Sequence, residues 1–328
     1  MLSAPSDLPD GDLVATLNDG WQLAVDSLTY RPLGFGSHHW EVVDAGGTRW
    51  FVTVDDLETR RCTAAEPLAA AFHRLETCLT VAYRLRESGR TFVVAPVCGV
   101  DGALVRRIGD RFAVAVFPFV AGESFSWGEF GPPQRRRALL DLVVGVHGTP
   151  VELARTALAD DFVVAHRDLL ESIVDGADIA EVGPYTRPAV ELLTGHAPAV
   201  RGLLGRYDAL VAAARTAPTV LTHGEPHPGN LMRTGTGWVL IDWDTVRTAP
   251  PERDLWGLGV ADSSLLDAYT AATGVVADPD RLELYRIRWE IMDLAACAHE
   301  FSRAHTGTAN DEESWRILTG LVNGLIHS

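Results

Sequence analysis

The chain has 328 residues, 47% of them hydrophobic and 22% charged, which is typical of a globular protein with one large or two medium domains. Its formal net charge of −16 argues against a nucleic-acid-binding surface and favours a cationic ligand. All 28 basic residues are arginine, so lysine chemistry, such as a Schiff base or the phosphate-binding lysine of a P-loop, is excluded.

The N-terminal segment and the cysteines predict a cytoplasmic protein. Residues 1–12 are polar and acidic and lack the basic and apolar regions of a signal peptide. No apolar run approaches the roughly 18 residues that a membrane-spanning helix needs, so we expect no membrane partner. The four cysteines are scattered without CxxC spacing, which favours reduced and mostly buried thiols.

The first third of the chain is predicted to be mainly β-strand. Residues 21–32 have a strand-like pattern, and residues 41–55 form a hairpin around an Ala-Gly-Gly turn. Residues 64–88 carry apolar side chains at steps of three and four and stop at Gly89, which predicts an amphipathic helix. A second hairpin follows over residues 103–117. We therefore expect a small antiparallel sheet with a helix on one face.

The pattern changes at residues 117–122, and helices are predicted for most of the chain after them. The predicted helices span residues 132–147, 160–173, 187–216 with a break near 195–198, 251–256, 263–273, 279–304 and 311–326. We therefore expect a boundary between two lobes at this point of the chain.

Between two short apolar runs, the chain concentrates the polar groups that phosphate chemistry needs. Residues 221–230 read LTHGEPHPGN, and residues 239–244 read VLIDWD. The prolines and glycines exclude a helix, so the polar side chains lie on a rigid loop flanked by short buried strands. A carboxylate (Glu225), an amide five residues later (Asn230) and a carboxylate at a strand end (Asp242) suit a divalent metal and a phosphate.

A glycine-serine loop, LGFGS at residues 33–37, precedes the first hairpin. Such a loop can place backbone N–H groups against phosphates. An ordinary turn explains the pattern equally well when the loop is considered alone.

Together these motifs resemble the aminoglycoside phosphotransferase and choline kinase superfamily, whose members are relatives of the protein kinases. The superfamily pattern H-G-D-x-x-x-x-N, followed by a strand that ends in I-D-W or I-D-F, is similar to HGEPHPGN at 223–230 and IDW at 241–243. The segment APPERDL at 249–255 is similar to the superfamily's next segment, and with Asp244 it looks most like the spectinomycin-kinase branch. The resemblance covers nearly the whole chain.

The resemblance implies an α+β fold with the two lobes of a protein kinase, a small antiparallel β-sheet lobe and a mainly helical C-terminal lobe. On that basis, residues 1–117 form the nucleotide-binding lobe and residues 118–122 form the hinge. Residues 123–328 then form the helical lobe, which carries the catalytic loop and the acceptor site.

For the catalytic loop, the resemblance implies that Asn230 and Asp242 hold Mg²⁺ ions that bridge the phosphates of ATP or GTP. Glu225 occupies the position that orients or deprotonates the acceptor hydroxyl. His223 and Asp254 are implied to brace the loop without taking part in the chemistry.

For the nucleotide, the resemblance implies that the glycine-serine loop covers the triphosphate and that a phenylalanine lines the back of the adenine pocket. A proline carbonyl and a valine N–H of the hinge would then hydrogen-bond the adenine edge. The implied nucleotide-binding residues are Gly34, Gly36, Ser37, Thr53, Phe117, Pro118 and Val120.

Two positions depart from the superfamily's pattern. Glu225 stands where the pattern has aspartate, so its carboxylate must be re-aimed, and a displacement of ~1 Å can cost ~100-fold in rate. Thr53 stands near the position of the strand lysine that grips the α- and β-phosphates, and it cannot supply that charge. The helix carboxylate that pairs with the lysine, Glu66 or Glu76, loses this role. The arginines that could replace the lysine are Arg60, Arg74, Arg106 and Arg107.

The implied activity is phosphoryl transfer to a hydroxyl of a small cationic molecule, such as an aminoglycoside or aminocyclitol antibiotic. The acidic residues that would border this acceptor are Asp244, Glu290 and Asp293, although a solvated surface explains each of them equally well. Trp289 is expected to lie in the core. Two alternatives stay open: a kinase-like protein that binds nucleotide or antibiotic with weak or no transfer, and a kinase for a metabolite such as choline or homoserine.

Two classes of hydrolase are excluded. A zinc hydrolase could use His223, Glu225 and His227, but the HExxH pattern is absent and the prolines prevent the helix that this pattern needs. A serine hydrolase would need a G-x-S-x-G elbow, which the sequence lacks.

Overall fold

The computed structural model of the chain describes residues 1–34 and 36–325. Its N-terminal part contains a five-stranded antiparallel sheet in the order β1-β2-β3-β5-β4. The strands are β1 (Val25–Arg31), β2 (Ser37–Asp44), β3 (Arg49–Asp56), β4 (Val105–Ile108) and β5 (Phe112–Pro118). Both predicted hairpins are present, as β2–β3 and β4–β5.

One helix covers each face of this sheet. The two helices are α1 (Asp10–Trp21) and α2 (Leu68–Glu87). Val52 and Val54 of β3 are fully buried in a core that includes α1. Thr53 and Asp55 lie on the opposite face, because side chains alternate along a strand, and their β5 partners pack against α2. The sequence predicted α2 but not α1, so the expectation of a helix on one face was incomplete.

The rest of the chain is mainly helical, with α10 at its centre. The helices are α3 (Pro133–His147), α4 (Val151–Ala154), α5 (Arg167–Val174), α6 (Thr186–Gly195), α7 (Ala197–Ala214), α8 (Glu252–Ala261), α9 (Ser264–Thr273), α10 (Pro279–Phe301) and α11 (Ala309–Leu325). Helix α10 packs against α5, α7, α8 and α11. Its Leu284, Ile287 and Ile291 are fully buried, and burying each such side chain contributes roughly 1.5–3 kcal/mol.

Short strands position the polar stretch within the helical part. They are β6 (Glu123–Ser124), β7 (Val220–Thr222), β8 (Leu231–Thr234), β9 (Gly237–Leu240) and β10 (Arg247–Ala249). The strands β6, β8 and β9 form one sheet, and β7 pairs with β10. Residues 223–230 therefore connect β7 to β8, ending in a 3-10 turn at Pro228–Asn230. Residues 241–246 connect β9 to β10, so two loops meet at the ends of these strands.

The chain thus has the predicted α+β, two-lobed architecture, with a small antiparallel sheet followed by a helical lobe. The limits of the lobes and a hinge at residues 118–122 remain our proposal. Within residues 1–34 and 36–325, every helix is too short or too polar to cross a membrane.

Candidate active site

A buried carboxylate holds the loop at residues 223–230. Asp254, in the first turn of α8, accepts hydrogen bonds from the backbone N–H groups of His223 at 2.8 Å and Gly224 at 2.7 Å. It also contacts Nε2 of His147 at 3.1 Å. Burial favours the neutral acid, but the His147 hydrogen bond and nearby positive charge outweigh it and lower the pKa of Asp254. An ionised carboxylate therefore anchors the start of the loop.

His223 joins this loop to the segment after β9. Its Nε2 donates to the Ile241 carbonyl at 2.9 Å, and its Nδ1 accepts from the Glu225 N–H at 3.2 Å. A carbonyl can only accept and an N–H can only donate, so these partners assign the tautomer. Burial lowers the pKa of His223, which keeps the ring neutral as this pattern requires. The geometry fits a positioning role for the imidazole, which stays a prediction.

Position 224, at the start of this loop, requires glycine. Its φ of +105° lies in a region that side chains disfavour, and a Cβ would lie 2.4 Å from Nη2 of Arg253. That guanidinium donates to Thr222 Oγ1 and to the Thr245 carbonyl, each at 2.8 Å. Because glycine has no side chain, the buried guanidinium of Arg253 can pack directly against the loop.

The predicted metal ligands lie on neighbouring, hydrogen-bonded segments. The backbone N–H of Ile241 donates to the Asn230 carbonyl at 2.9 Å. The side-chain Nδ2 of Asn230 donates to the Glu225 carbonyl at 3.0 Å, and Oδ1 makes no hydrogen bond with the described residues. Asp242 has a φ of +65°, a conformation that non-glycine residues adopt mostly where the surrounding structure enforces it.

Negative charge accumulates around Asp242. Loss of solvent raises the pKa of its carboxyl well above the usual value, and the charges of Asp244 and Glu225 raise it further. The residue nevertheless keeps an exposed surface. The crowding of like charges raises the pKa of Asp242 whether or not its carboxylate is fully dehydrated.

These residues fit a magnesium ion held partly by its nucleotide. Within the described residues, no group of three or more His, Cys, Asp or Glu side chains is arranged to hold a metal. Mg²⁺ needs fewer protein groups, because it retains water and takes phosphate oxygens as ligands. The Asn230 amide oxygen and the Asp242 carboxylate are suitable donors, and a divalent cation would relieve the charge crowding at Asp242.

Glu225 lies between this charged cluster and helix α10. Its side chain is 27% exposed, and Oε2 lies 3.7 Å from Nε2 of His227. Its charge acts on both Asp242 and Asp293. Burial, and then the charge of Glu225, raise the pKa of Asp293 to about 6, against a hydrogen bond from Trp289 that lowers it. Glu225 and Asp293 are therefore close enough for their charges to interact.

A row of tryptophans lies beside these two carboxylates. The rings of Trp127 and Trp289 stack with centroids 5.8 Å apart, and Trp256 lies 5.8 Å beyond Trp289. The Trp127 ring also lies 6.0 Å from that of His227, and Trp127 is 53% exposed. Trp289 is half-buried, which corrects the expectation that it lies in the core. Sequence reasoning missed Trp127, for which the aromatic run FSWGEF at 125–130 was the available signal.

The glycine-serine loop reaches the sheet at Ser37. Gly34 and Gly36 have positive φ values of 60° and 97°, whereas Phe35 lies outside the described residues. Ser37 begins β2, and its Oγ donates to Asp55 Oδ1 at 2.7 Å. Thr53, two residues before Asp55 on β3, pairs with residues of β2 and β5 and brings no charge.

Of the four candidate arginines, Arg60 lies at the charged cluster. Its Nε donates to Asp55 Oδ1 at 2.7 Å, and its Nη2 donates to Asp244 Oδ2 at 2.5 Å and to Ser37 Oγ at 3.1 Å. Burial opposes its charge, but Asp55 and Asp244 more than offset that and raise the pKa of Arg60. The other three pair elsewhere: Arg74 with Glu66, Arg106 with Asp101, and Arg107 with the Asp110 carbonyl and the Phe72 ring.

The remaining predicted residues lie on α10, at the end of β5 and in the segment after β5. Glu290 is ion-paired with Arg286 at 2.5 Å, whereas the charge of Glu225 acts on Asp293. Phe117 pairs with Phe51 across β3 and β5. The Val120 N–H makes no hydrogen bond within the described residues. A cavity of about 490 Å³ runs along this segment, lined among others by Pro118, Val120 and Ala121 and by the β8–β9 turn; it does not include Glu225, Asn230 or Asp242.

Known proteins share both the sequence pattern and the fold. The sequence model of the phosphotransferase enzyme family APH matches residues 29–285. Protein StrN of Streptomyces griseus is 33% identical over 253 residues, which are 73% of this chain and 74% of that protein.

Two solved structures share the fold at low sequence identity. The crystal structure of spectinomycin phosphotransferase APH(9)-Ia, in complex with ADP and spectinomycin, superposes with a TM-score of 0.69 at 16% identity, over 96% of this chain and 97% of the other. Amicoumacin kinase hAmiN, in complex with AMP-PNP, Ca²⁺ and Ami, has a TM-score of 0.62 at 14% identity, over 97% and 94% of the two chains.

Proposed function

The chain belongs to the APH phosphotransferase enzyme family, and we propose that it transfers the terminal phosphoryl group of ATP, or GTP, to a hydroxyl of a small cationic aminocyclitol-like molecule. As a family member it is an enzyme that phosphorylates a hydroxyl acceptor, either an antibiotic or a small metabolite. The donor, the acceptor and the residue roles are the parts that we propose.

The observation that carries the proposal is that Glu225, Asn230 and Asp242 lie on two neighbouring loops that hydrogen bonds hold in place. Asp254 holds the start of one loop, and His223 ties that loop to the segment of Asp242. Asn230 is bonded to the backbone of Glu225. Phosphoryl transfer needs little covalent chemistry from the protein, so rigid positioning of charges is what such a site must supply.

Each of these side chains has a distinct proposed role. Asn230 and Asp242 hold Mg²⁺, which neutralises charge on the transferred phosphoryl group when bound. Glu225 accepts the proton of the acceptor hydroxyl, since its partly exposed carboxylate lies between the Asp242 cluster and the space beside α10. Gly34, Gly36 and Ser37 cover the phosphates with backbone N–H groups.

The surface beside Glu225 supports a cationic acceptor. Two carboxylates, Glu225 and Asp293, lie beside the stacked rings of Trp127 and Trp289. Carboxylates attract an ammonium group, and indole faces bind cations and the apolar faces of sugar-like rings. Spectinomycin, the ligand of the APH(9)-Ia complex, motivates the choice of an aminocyclitol.

A second candidate is a kinase for a quaternary ammonium metabolite such as choline. The tryptophan row favours it, because aromatic faces recognise such cations without needing a hydrogen bond. A kinase-like binding protein with weak or no transfer is the third possibility, and the neutral Thr53 at the lysine position motivates it.

A panel of acceptors with Mg·ATP distinguishes these candidates. Spectinomycin-type aminocyclitols, aminoglycosides, choline and homoserine are each incubated with the protein, and phosphorylated product is detected by mass spectrometry. We expect product with the aminocyclitols and none with zwitterionic homoserine. Product with choline alone would support the second candidate. Tight ligand binding without product from any acceptor would contradict the proposal.

A further inference from the structure

We propose that Arg60 binds the phosphates of the nucleotide in place of the strand lysine that this chain lacks. The inference rests on the proposed function and concerns the same cleft. Arg60 lies in the turn after β3, seven positions beyond Thr53 in the sequence.

The contacts of Arg60 place its guanidinium where a phosphate would arrive. It donates to Ser37, the last residue of the glycine-serine loop, and to Asp244, two residues after Asp242. The guanidinium therefore lies between the loop that would cover the triphosphate and the carboxylate that would hold its metal. A lysine at position 53 would reach toward the same region from the middle of β3.

Asp55 orients this arginine. The Asp55 carboxylate is 2% exposed and accepts from Nε of Arg60 at 2.7 Å and from Ser37 Oγ at 2.7 Å. In the kinase pattern a helix carboxylate positions the lysine, whereas here a carboxylate of β3 itself positions the arginine. Glu66, one of the two carboxylates considered as the partner of that lysine, lies just before α2 and is bonded to Arg74 instead.

The guanidinium also has donors left for a ligand. Its hydrogen bonds with the described residues use Nε and Nη2, and Nη1 makes none with them. A phosphate oxygen can accept a hydrogen bond from Nη1 without displacing any contact. It can accept a second one from Nη2 once the hydrogen bond between Nη2 and Asp244 is broken. Paired donation of this kind is what makes arginine a strong phosphate ligand.

The other candidate arginines and His39 have partners elsewhere. Arg74, Arg106 and Arg107 are bonded to groups away from Asp242, as described above. His39 lies beside Thr53 on β2, but burial lowers its pKa and its Nδ1 is bonded to the Leu33 carbonyl at 2.9 Å. Of these five basic residues, Arg60 is thus the one that contacts both Ser37 and Asp244.

The test compares the binding of adenosine, AMP, ADP and AMP-PNP, each with Mg²⁺, to the wild type and to Arg60→Ala by calorimetry. Adenosine lacks phosphates, so we expect its affinity to be unchanged. A hydrogen bond to a charged group is worth about 1.5–3 kcal/mol, so the affinity for ADP and AMP-PNP should fall about 10- to 150-fold. Arg60→Lys should restore part of the loss. The matched control Arg107→Ala removes an exposed arginine of the same sheet and should bind as the wild type does.

Asp244→Asn separates phosphate binding from the contact that joins the two lobes. This variant removes the lobe-joining carboxylate and keeps the guanidinium, so it should retain the preference for AMP-PNP over adenosine. An equal loss in Asp244→Asn and Arg60→Ala would overturn the inference in favour of a lobe contact. Unchanged phosphate preference in Arg60→Ala would also overturn it. A wild type that binds none of the four ligands would instead overturn the proposed function, and the inference with it.

Discussion

Glutamate at position 225 has one methylene more than the aspartate of the superfamily pattern. This difference affects only the side chain, because hydrogen bonds hold the backbone of Glu225 through both its N–H and its carbonyl. Its N–H donates to His223 Nδ1, and its carbonyl accepts from Asn230 Nδ2. The longer side chain therefore starts from a fixed point and extends toward the space shared with Asp293. The geometry allows glutamate to act as the base if the acceptor binds at a matching distance.

Glu225→Gln tests this role. The amide keeps the shape but cannot take the hydroxyl proton, and general-base catalysis is typically worth ~100- to 10,000-fold, so we expect kcat to fall by at least ~100-fold. Nucleotide affinity should not change, because the side chain is not a proposed nucleotide ligand. Steady-state kinetics and nucleotide calorimetry check both statements, with Glu76→Gln on the surface of α2 as the control. A wild-type kcat in Glu225→Gln would show that Glu225 is not the base.

Sequence spacing was enough to propose Glu225, Asn230 and Asp242, because all three lie within a short stretch that the prolines and strand ends constrain. It could not select Arg60 among four arginines. Arg60 and Asp244 are 184 residues apart in the chain, and only the packing of the two lobes brings them to 2.5 Å. The approach of Trp127 to Trp289 also joins residues far apart in the chain, in this case within the helical part.

At the scale of elements, helix α10 forms one wall of the proposed acceptor site. Trp289 and Asp293 are one helical turn apart and therefore lie on the same face. The raised pKa of Asp293, about 6, means that its ionised form is disfavoured in the folded protein. Its contribution to stability is therefore lost as pH rises from about 4 to about 6, whereas a cationic acceptor needs the ionised form.

We expect the KM for a cationic acceptor to fall as pH rises through about 6, because Asp293 gains its charge there. Asp293→Asn should have a higher acceptor KM and lose this dependence, while the KM for ATP stays unchanged in both proteins. Acceptor KM measured over a pH series checks the prediction. Retention of the full pH dependence in Asp293→Asn would assign it to another group.

Local signals explain which elements could be predicted. The break between α6 and α7 follows from Pro198, a signal that acts within one turn. Helix α1 was missed because its sequence contains two glycines and has no side-chain cap. Its apolar residues are recognisable as a buried face only once the helix is packed against the sheet. The predicted helix at residues 160–173 starts later, at Arg167, because Phe162 and His166 have positive φ values of 61° and 59°, which a right-handed helix cannot include.

At the scale of the whole molecule, the excess of acidic over basic residues in the chain is also found at the proposed active site. The charges of Asp55, Asp242 and Asp244 act on one described cation, Arg60, and Glu225 adds its charge beside Asp242. A triphosphate would add more negative charge to this cluster. Binding and transfer should therefore depend steeply on a divalent cation, which would offset this negative charge.

Asp242→Asn, assayed across a Mg²⁺ titration, tests the central claim that this cleft performs metal-dependent phosphoryl transfer. Asparagine tolerates the φ of +65° at this position, so circular dichroism should show an intact fold. Loss of several kcal/mol of charge stabilisation corresponds to a fall of ~1000-fold or more in the rate of product formation. The account predicts that the wild type forms phosphorylated acceptor only with Mg²⁺ and that a folded Asp242→Asn forms almost none. Wild-type rates in Asp242→Asn, or transfer by the wild type in excess chelator, would contradict it.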